Sequence, residues 1–170
     1  MLNLKDLTNQ MHIATNSSKF DISKEIDTAK IAKKVSKLIK VGDVLFFYGD
    51  IGVGKTTFIK YLINNLQKIN RSKLTEVTSP TFSIVNEYKL GNTKILHYDL
   101  YRIKDVKELK QLGIFKDETS SIKIIEWPEL IETNISNRLE LHLTYSSKDD
   151  ERKLNVIGFG KWKNFSKNEF

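Results

Sequence analysis

The run Gly49-Asp50-Ile51-Gly52-Val53-Gly54-Lys55-Thr56 carries the residue types and spacing of a Walker A element, Gly-x4-Gly-Lys-Thr. Glycines at such positions let backbone N–H groups turn inward on anionic oxygens and form a nest. A helix starting near Lys55 aims its free N–H groups and the positive end of its dipole at the same place. The Lys55 ammonium is suited to reach terminal phosphate oxygens, and the Thr56 hydroxyl to ligate Mg2+. Residues Asp50, Ile51, Gly52, Val53, Gly54, Lys55, Thr56 and Thr57 are therefore the candidate contacts for a nucleoside triphosphate. Chance supplies this pattern in about one in a hundred chains of this composition.

Such a cradle needs an acidic residue at the end of a neighbouring strand, to hold the metal or its water. Ile95-Leu-His-Tyr-Asp99 and Ile122-Lys-Ile-Ile-Glu126 each place a carboxylate directly after apolar strand residues. Taken alone, either acid reads as a salt-bridged strand end; beside the loop, both are candidates. The Asn-Lys-x-Asp loop that selects guanine is absent. No Asp-x-x-Gly turn follows the metal strand, because Asp99 is followed by Leu-Tyr-Arg. An arginine-rich kinase lid is hard to build from Arg71, Arg102, Arg138 and Arg152, the only four arginines. The reading that remains is a compact ATPase in which water attacks the γ-phosphate. Two rivals stay open: a small-molecule kinase that needs an acceptor, and an adaptor whose nucleotide is structural.

The flanking sequence supplies the elements that must hold these groups. Val44 to Tyr48 is a compact apolar run, the mark of a buried strand. After the loop, Phe58, Ile59, Leu62, Ile63, Leu66 and Ile69 follow helical spacing. Strand, glycine-rich turn and helix open an α/β unit with parallel strands. Upstream, Phe20-Asp-Ile reads as a short strand and Ser23 as an N-cap. A helix follows with an apolar stripe at Ile26, Ala29, Ala32, Val35 and Leu38. Phe82–Tyr88 and Thr93–Tyr98 form a hairpin through Leu90-Gly-Asn92, Asp105–Leu112 a short helix, and Ile122–Ile125 a buried strand. Leu139–Tyr145 and Lys153–Phe159 alternate around Ser146–Asp150 as a second hairpin. The expectation is an α/β, P-loop NTPase-like fold: a largely parallel core sheet, added antiparallel hairpins and helices on both faces. A loose extension over 1–18, one domain over 19–160 and a tail over 161–170 complete it.

The whole chain of 170 residues fits one domain of 19.7 kDa. It has no cysteine, which removes disulfides, thiolate zinc, Fe–S clusters and cysteine nucleophiles. His12, His97 and His142 are too scattered to form a ligand cluster. No apolar run reaches the ~20 residues that span a bilayer, and neither a secretory nor a transit signal opens the chain. The expectation is cytoplasmic, without membrane contact. The net charge of +7 invites a nucleic-acid reading. Against it, 24 of the 28 cations are lysine, whereas bidentate phosphate and base recognition favours arginine.

Several segments together resemble the TsaE (YjeE) family, bacterial P-loop ATPases of tRNA threonylcarbamoyladenosine biosynthesis. They are Tyr48-Gly-Asp-Ile-Gly-Val-Gly-Lys-Thr-Thr-Phe58, Ser79-Pro-Thr-Phe82, His97-Tyr-Asp-Leu-Tyr-Arg102, Glu108-Leu with Leu112-Gly113, and Ile125-Glu-Trp-Pro-Glu129. The resemblance implies Mg2+-dependent ATP hydrolysis in a complex with TsaD and TsaB, which modify the adenosine beside the anticodon. Contact with tRNA would then be indirect, through the complex. By position, Thr56 and Glu126 match the family's magnesium residues and Asp99 its Walker B-like aspartate. Thr81 matches a switch threonine and Arg152 an arginine near the nucleotide; Glu25–Thr28 fall where the family approaches the base.

Other residues carry two readings. Trp127 is either a core aromatic or a contact beside the metal acid. His97, two positions before Asp99, is a structural histidine or, less simply, a proton carrier. Arg102 either pairs with Asp105 or Glu108 or faces a partner. The tail Phe159-Gly-Lys-Trp-Lys-Asn-Phe165 mixes cations and aromatics, as single-strand platforms do. It reads more simply as a tail docked on the sheet.

Overall fold

The computed structural model describes residues 17–114, 120–131, 135–146 and 151–163. The elements in chain order are β1 (Ser17–Asp21), α1 (Glu25–Leu38), β2 (Val44–Tyr48), α2 (Lys55–Ile69), β3 (Val85–Leu90), β4 (Thr93–Asp99), α3 (Val106–Gln111), β5 (Ser121–Glu126), β6 (Arg138–Tyr145) and β7 (Arg152–Phe159). Short 3-10 turns cover Pro128–Leu130 and Gly160–Trp162. The seven strands form one sheet in the order β1-β7-β6-β2-β5-β4-β3. Its centre, β6-β2-β5-β4, is parallel throughout. The hairpins β3–β4 and β6–β7, and the edge pair β1–β7, are antiparallel. The expected architecture is therefore the one observed.

β2 and β5 are buried on both faces because helical or 3-10 layers cover each side. On one side α1 and α2 pack over Leu45, Phe47, Ile122 and Ile124. The other core, built on Val44, Phe46, Tyr98 and Ile125, is closed by Leu109 of α3 and by Ile131. The parallel strands all point their carboxyl ends the same way, which leaves a crevice where the chain crosses between the two sides. In the register, Phe47 pairs with Glu126 and Asp99 also pairs with Glu126. Three strand ends meet at one carboxylate.

Some local expectations change. Ser23 is not a helix cap: α1 starts after Lys24 with no side-chain cap. Ser23 instead donates its hydroxyl to Asp21 and accepts from the Arg152 N–H, tying β1 to β7. The buried stripe of α1 runs through Thr28, Ile31, Ala32 and Val35, while Ile26 is exposed. A strict three-residue step drifts by about 60° per repeat around a helix, so Ile26 leaves the buried face while Leu38 still packs, partly buried, against the core. Ile69, the last residue of α2, also points out. β3 begins at Val85 rather than Phe82, and Phe82 is almost fully exposed. β1 takes in Ser17 and Ser18, which the expected extension included. The rest of that extension up to residue 16, the turn over 147–150 and the tail beyond 163 lie outside the described residues.

Candidate active site

Loop 49–54 leaves β2 and turns into α2 through three glycines with positive φ, at Gly49, Gly52 and Gly54. Gly49 is forced by contact as well as by φ. A Cβ there would fall 2.3 Å from the Leu143 carbonyl oxygen on β6. A Cβ on Gly54 would meet nothing within 4 Å among the described residues, so that side of the loop is open. Gly54 sits in the left-handed region at φ 108° and hands the chain to α2, whose first N–H groups have no intrahelical partner.

Lys55 folds back along the loop. Its Nζ donates to the carbonyls of Gly49 (2.5 Å) and Asp50 (3.0 Å) and lies 3.8 Å from the centre of the Trp127 ring. Burial holds its pKa below the usual lysine value, against the opposing pull of the Glu126, Asp99, Glu129 and Asp50 carboxylates. Trp127 reaches this position because its own backbone is left-handed at φ 57°, which turns the chain sharply after β5. Tyr101 also packs against the indole, with ring centres 4.9 Å apart.

The two acids are adjacent but differently engaged. Glu126 is buried; its carboxylate accepts from Thr56 Oγ1 at 3.0 and 3.1 Å and lies 2.9 Å from His97 Nε2. Asp99 accepts from the hydroxyls of Thr81 (2.5 Å) and Ser79 (3.1 Å) and from the Tyr101 N–H (3.0 Å). The Ser79–Ile84 loop is locked onto β4 by its backbone too: Asp99 N–H donates to the Ile84 carbonyl at 3.0 Å. Ile84 is held at φ 67°, a strained conformation for a β-branched residue.

These groups line one cleft of about 360 Å³: Ile51, Gly52, Gly54, Lys55, Thr56 and Thr57 on the loop side; Ser79, Thr81, Asp99, Tyr101, Glu126 and Trp127 opposite. Arg152 is not among them. It lines a second, smaller hollow on the other side of the loop with Ile22, Ser23, Glu25, Thr28, Gly52, Val53, Gly54 and Thr57. There Tyr61 donates to the Glu25 carboxylate at 2.6 Å. Asp50 lines neither hollow and contributes its carbonyl to Lys55. Arg102 stacks over the exposed Phe82 ring at 5.5 Å.

The sequence reading passed over Ser79, Tyr101 and the His97–Glu126 contact. Ser79 stood inside a quoted motif, two residues before Thr81, and that spacing was the available signal. The contact of His97 with Glu126 needed the β4–β5 register, which no single strand reveals.

The donor set suits a hard cation. A hydroxyl and a carboxylate, both oxygen donors, converge beside an open anion cradle, and Mg2+ is commonly held by one or two such groups together with phosphates and waters. Among the described residues there is no cluster of three or more His, Cys, Asp or Glu suited to hold a metal by protein alone. The fold, with its glycine-rich turn between the second strand and the second helix, is of the P-loop NTPase-like class. The sequence model of the family described as "Threonylcarbamoyl adenosine biosynthesis protein TsaE" matches residues 22–154. The chain belongs to the TsaE family.

A Bacillus subtilis protein named tRNA threonylcarbamoyladenosine biosynthesis protein TsaE is 38% identical over 138 residues, covering 79% of this chain and 81% of that one. A Rickettsia felis protein of the same name is 36% identical over 110 residues, 65% of this chain; the match spans 62% of that relative's length. The crystal structure of Bacillus subtilis YdiB superposes with a TM-score of 0.68 at 29% identity, covering 91% of this chain and 93% of that one.

Proposed function

We propose that this chain is the ATPase subunit of tRNA threonylcarbamoyladenosine biosynthesis, hydrolysing Mg·ATP in a complex with TsaD and TsaB and meeting tRNA through that complex. Family membership supports the pathway. The observation that carries the chemistry is the Thr56 hydroxyl resting on the buried Glu126 carboxylate at the mouth of the glycine loop. Mg2+ bound there would neutralise charge on the phosphate oxygens.

The chain's own residues do the rest. Lys55 and the first N–H groups of α2 bind the terminal phosphates, for which Lys55 exchanges its two loop carbonyls. Thr56 and Glu126 would hold the cation. Asp99 orients a water, either the metal's or the attacking one, once Thr81 and Ser79 release its Oδ2. Thr81, so released, is free to sense the γ-phosphate. Trp127 and Tyr101 exclude solvent from the Lys55 side. Arg152, in the second hollow with Glu25 and Thr28, serves the nucleoside end. No arginine lines the main cleft, so turnover by the isolated chain is slow and a partner completes the site.

Glu126→Ala tests the chemistry. Mg2+-dependent phosphate release should drop at least about 100-fold, a loss typical of removing one charge-organising group; unchanged Mg2+-dependent release would sink the metal role. Gel filtration with TsaD–TsaB, with and without ATP, tests the setting. Co-elution in at least one condition is expected, and no association in either would contradict it.

A further inference from the structure

We infer that His97 is a positioning residue: it orients the Glu126 carboxylate so that one oxygen stays available to the cation. This inference rests on the Mg·ATP reading above. His97 lies on β4, directly opposite Ile124 of β5, and its side chain is fully buried. Its Nε2 is 2.9 Å from Glu126 Oε1. An ionised carboxylate only accepts, so Nε2 carries the proton and donates. The other ring nitrogen, Nδ1, is buried with no hydrogen-bond partner among the described residues.

The arrangement is costly if the side chain serves only to fill space. An unpaired buried nitrogen carries a desolvation penalty that an aliphatic residue would avoid. What the imidazole provides is a fixed donor. The terminal torsion of glutamate is broad, so packing alone does not choose which oxygen faces where. Thr56 does not choose either, because its hydroxyl lies at nearly equal distance from both oxygens. His97 contacts Oε1 alone and breaks that symmetry. Oε2 is left with the Thr56 hydroxyl at the cleft. Tyr88 of β3 is the imidazole's aromatic neighbour, with ring centres 6.4 Å apart. Partners behind a metal ligand characteristically act by fixing its orientation.

The test compares His97→Gln with His97→Asn. The glutamine amide reaches the place of Nε2 and can donate to Glu126; the asparagine amide sits near the place of Nδ1 and cannot. Binding of a fluorescent ATP analogue is titrated with Mg2+ and, separately, measured in EDTA. The Asn variant should need about tenfold more Mg2+ to reach half of its effect on affinity. The Gln variant should stay within about threefold of the wild type. Both should match wild type in EDTA, where orientation of the metal acid is irrelevant. Equal Mg2+ midpoints for Asn and Gln overturn the inference, as does a loss in EDTA as large as the loss in Mg2+. Wild-type affinity that ignores Mg2+ overturns the Mg·ATP reading itself, and this inference with it; Mg2+ dependence with indistinguishable variants overturns only the role of His97. Melting curves of both variants report whether packing was kept.

Discussion

Gly49 and Gly54 bracket one loop and are constrained by different neighbours. At Gly49 a methyl group would collide with the Leu143 backbone, which belongs to the sheet and cannot move aside. Gly49→Ala should therefore destabilise the fold by about 3 kcal/mol or more, seen as a large fall in melting temperature. Gly54→Ala meets no atom and costs only left-handed strain, about 1–2 kcal/mol. Its methyl group instead occupies the open side of the cradle, so nucleotide affinity should fall far more than stability. Equal effects of the two substitutions on melting would show that the loop does not have this geometry. Lys55 belongs to the same scale. Its ammonium is held by two carbonyls and an indole face, within the field of the Glu126 and Asp99 carboxylates. It is the cation that lines the main cleft, and Arg152 lies in the second hollow.

At the scale of elements, the parallel register of β2, β5 and β4 does the assembling. Individual strands were legible because β2 and β5 are continuous apolar runs and the hairpins alternate. The glycine loop was legible because its chemistry leaves little choice of residue. Pairing was not, since the order β6-β2-β5-β4 rests on contacts between segments far apart in the chain. That is why Asp99 and Glu126 could be named while His97 read as a structural histidine or a proton carrier, with no link to Glu126. Residues 82–84 were misread as the start of a strand because Phe82 is apolar; the Ser79 and Thr81 hydroxyls go to Asp99, Ser83 bonds Asn86, and Phe82 points outward under Arg102.

β6 carries a separate buried network in which Glu140 bonds Arg138 at 2.7 Å and His142 at 3.0 Å. His142 stacks flat on Tyr48, just ahead of the glycine loop. Burial works to raise the Glu140 pKa, but the hydrogen bonds from His142 and Arg138, with their charges, outweigh it and leave the carboxyl below its ordinary 4.5. A carboxyl depressed in the folded state stabilises fully above pH 4.5 and loses that contribution as pH falls through the folded value. Glu140→Gln should flatten stability against pH below 4.5 and lower it at neutral pH by about 3–5 kcal/mol, because Arg138 stays buried without its partner. Urea midpoints measured from pH 3 to 7 check both; an unchanged acid limb would remove the network from the account.

At the scale of the molecule, the +7 charge and the cleft are separate features. The lysines of α1 at 30, 33, 34 and 37 lie on its outward side, and Lys30 pairs with Asp27. Their contribution to any RNA contact is diffuse and salt-sensitive. The candidate site lies instead at the carboxyl ends of the parallel strands β2, β5 and β4, with hairpins extending the sheet on both sides. No helix among the described residues is long and apolar enough to cross a membrane. The cleft is open, and exposed Ile51 and Tyr101 stand at its rim while Phe82 projects from the adjoining loop. An open cleft of this kind is consistent with the proposal that a partner completes the site. The central claim is hydrolysis, with water as the only acceptor. Its most direct measurement is single-turnover conversion of ATP by excess protein in Mg2+, with no other acceptor present. The account predicts ADP and inorganic phosphate in equal amounts, formed only with Mg2+ and suppressed in Glu126→Ala. ATP that stays intact until a phosphoryl acceptor is added, or that is split equally well in EDTA, would contradict it.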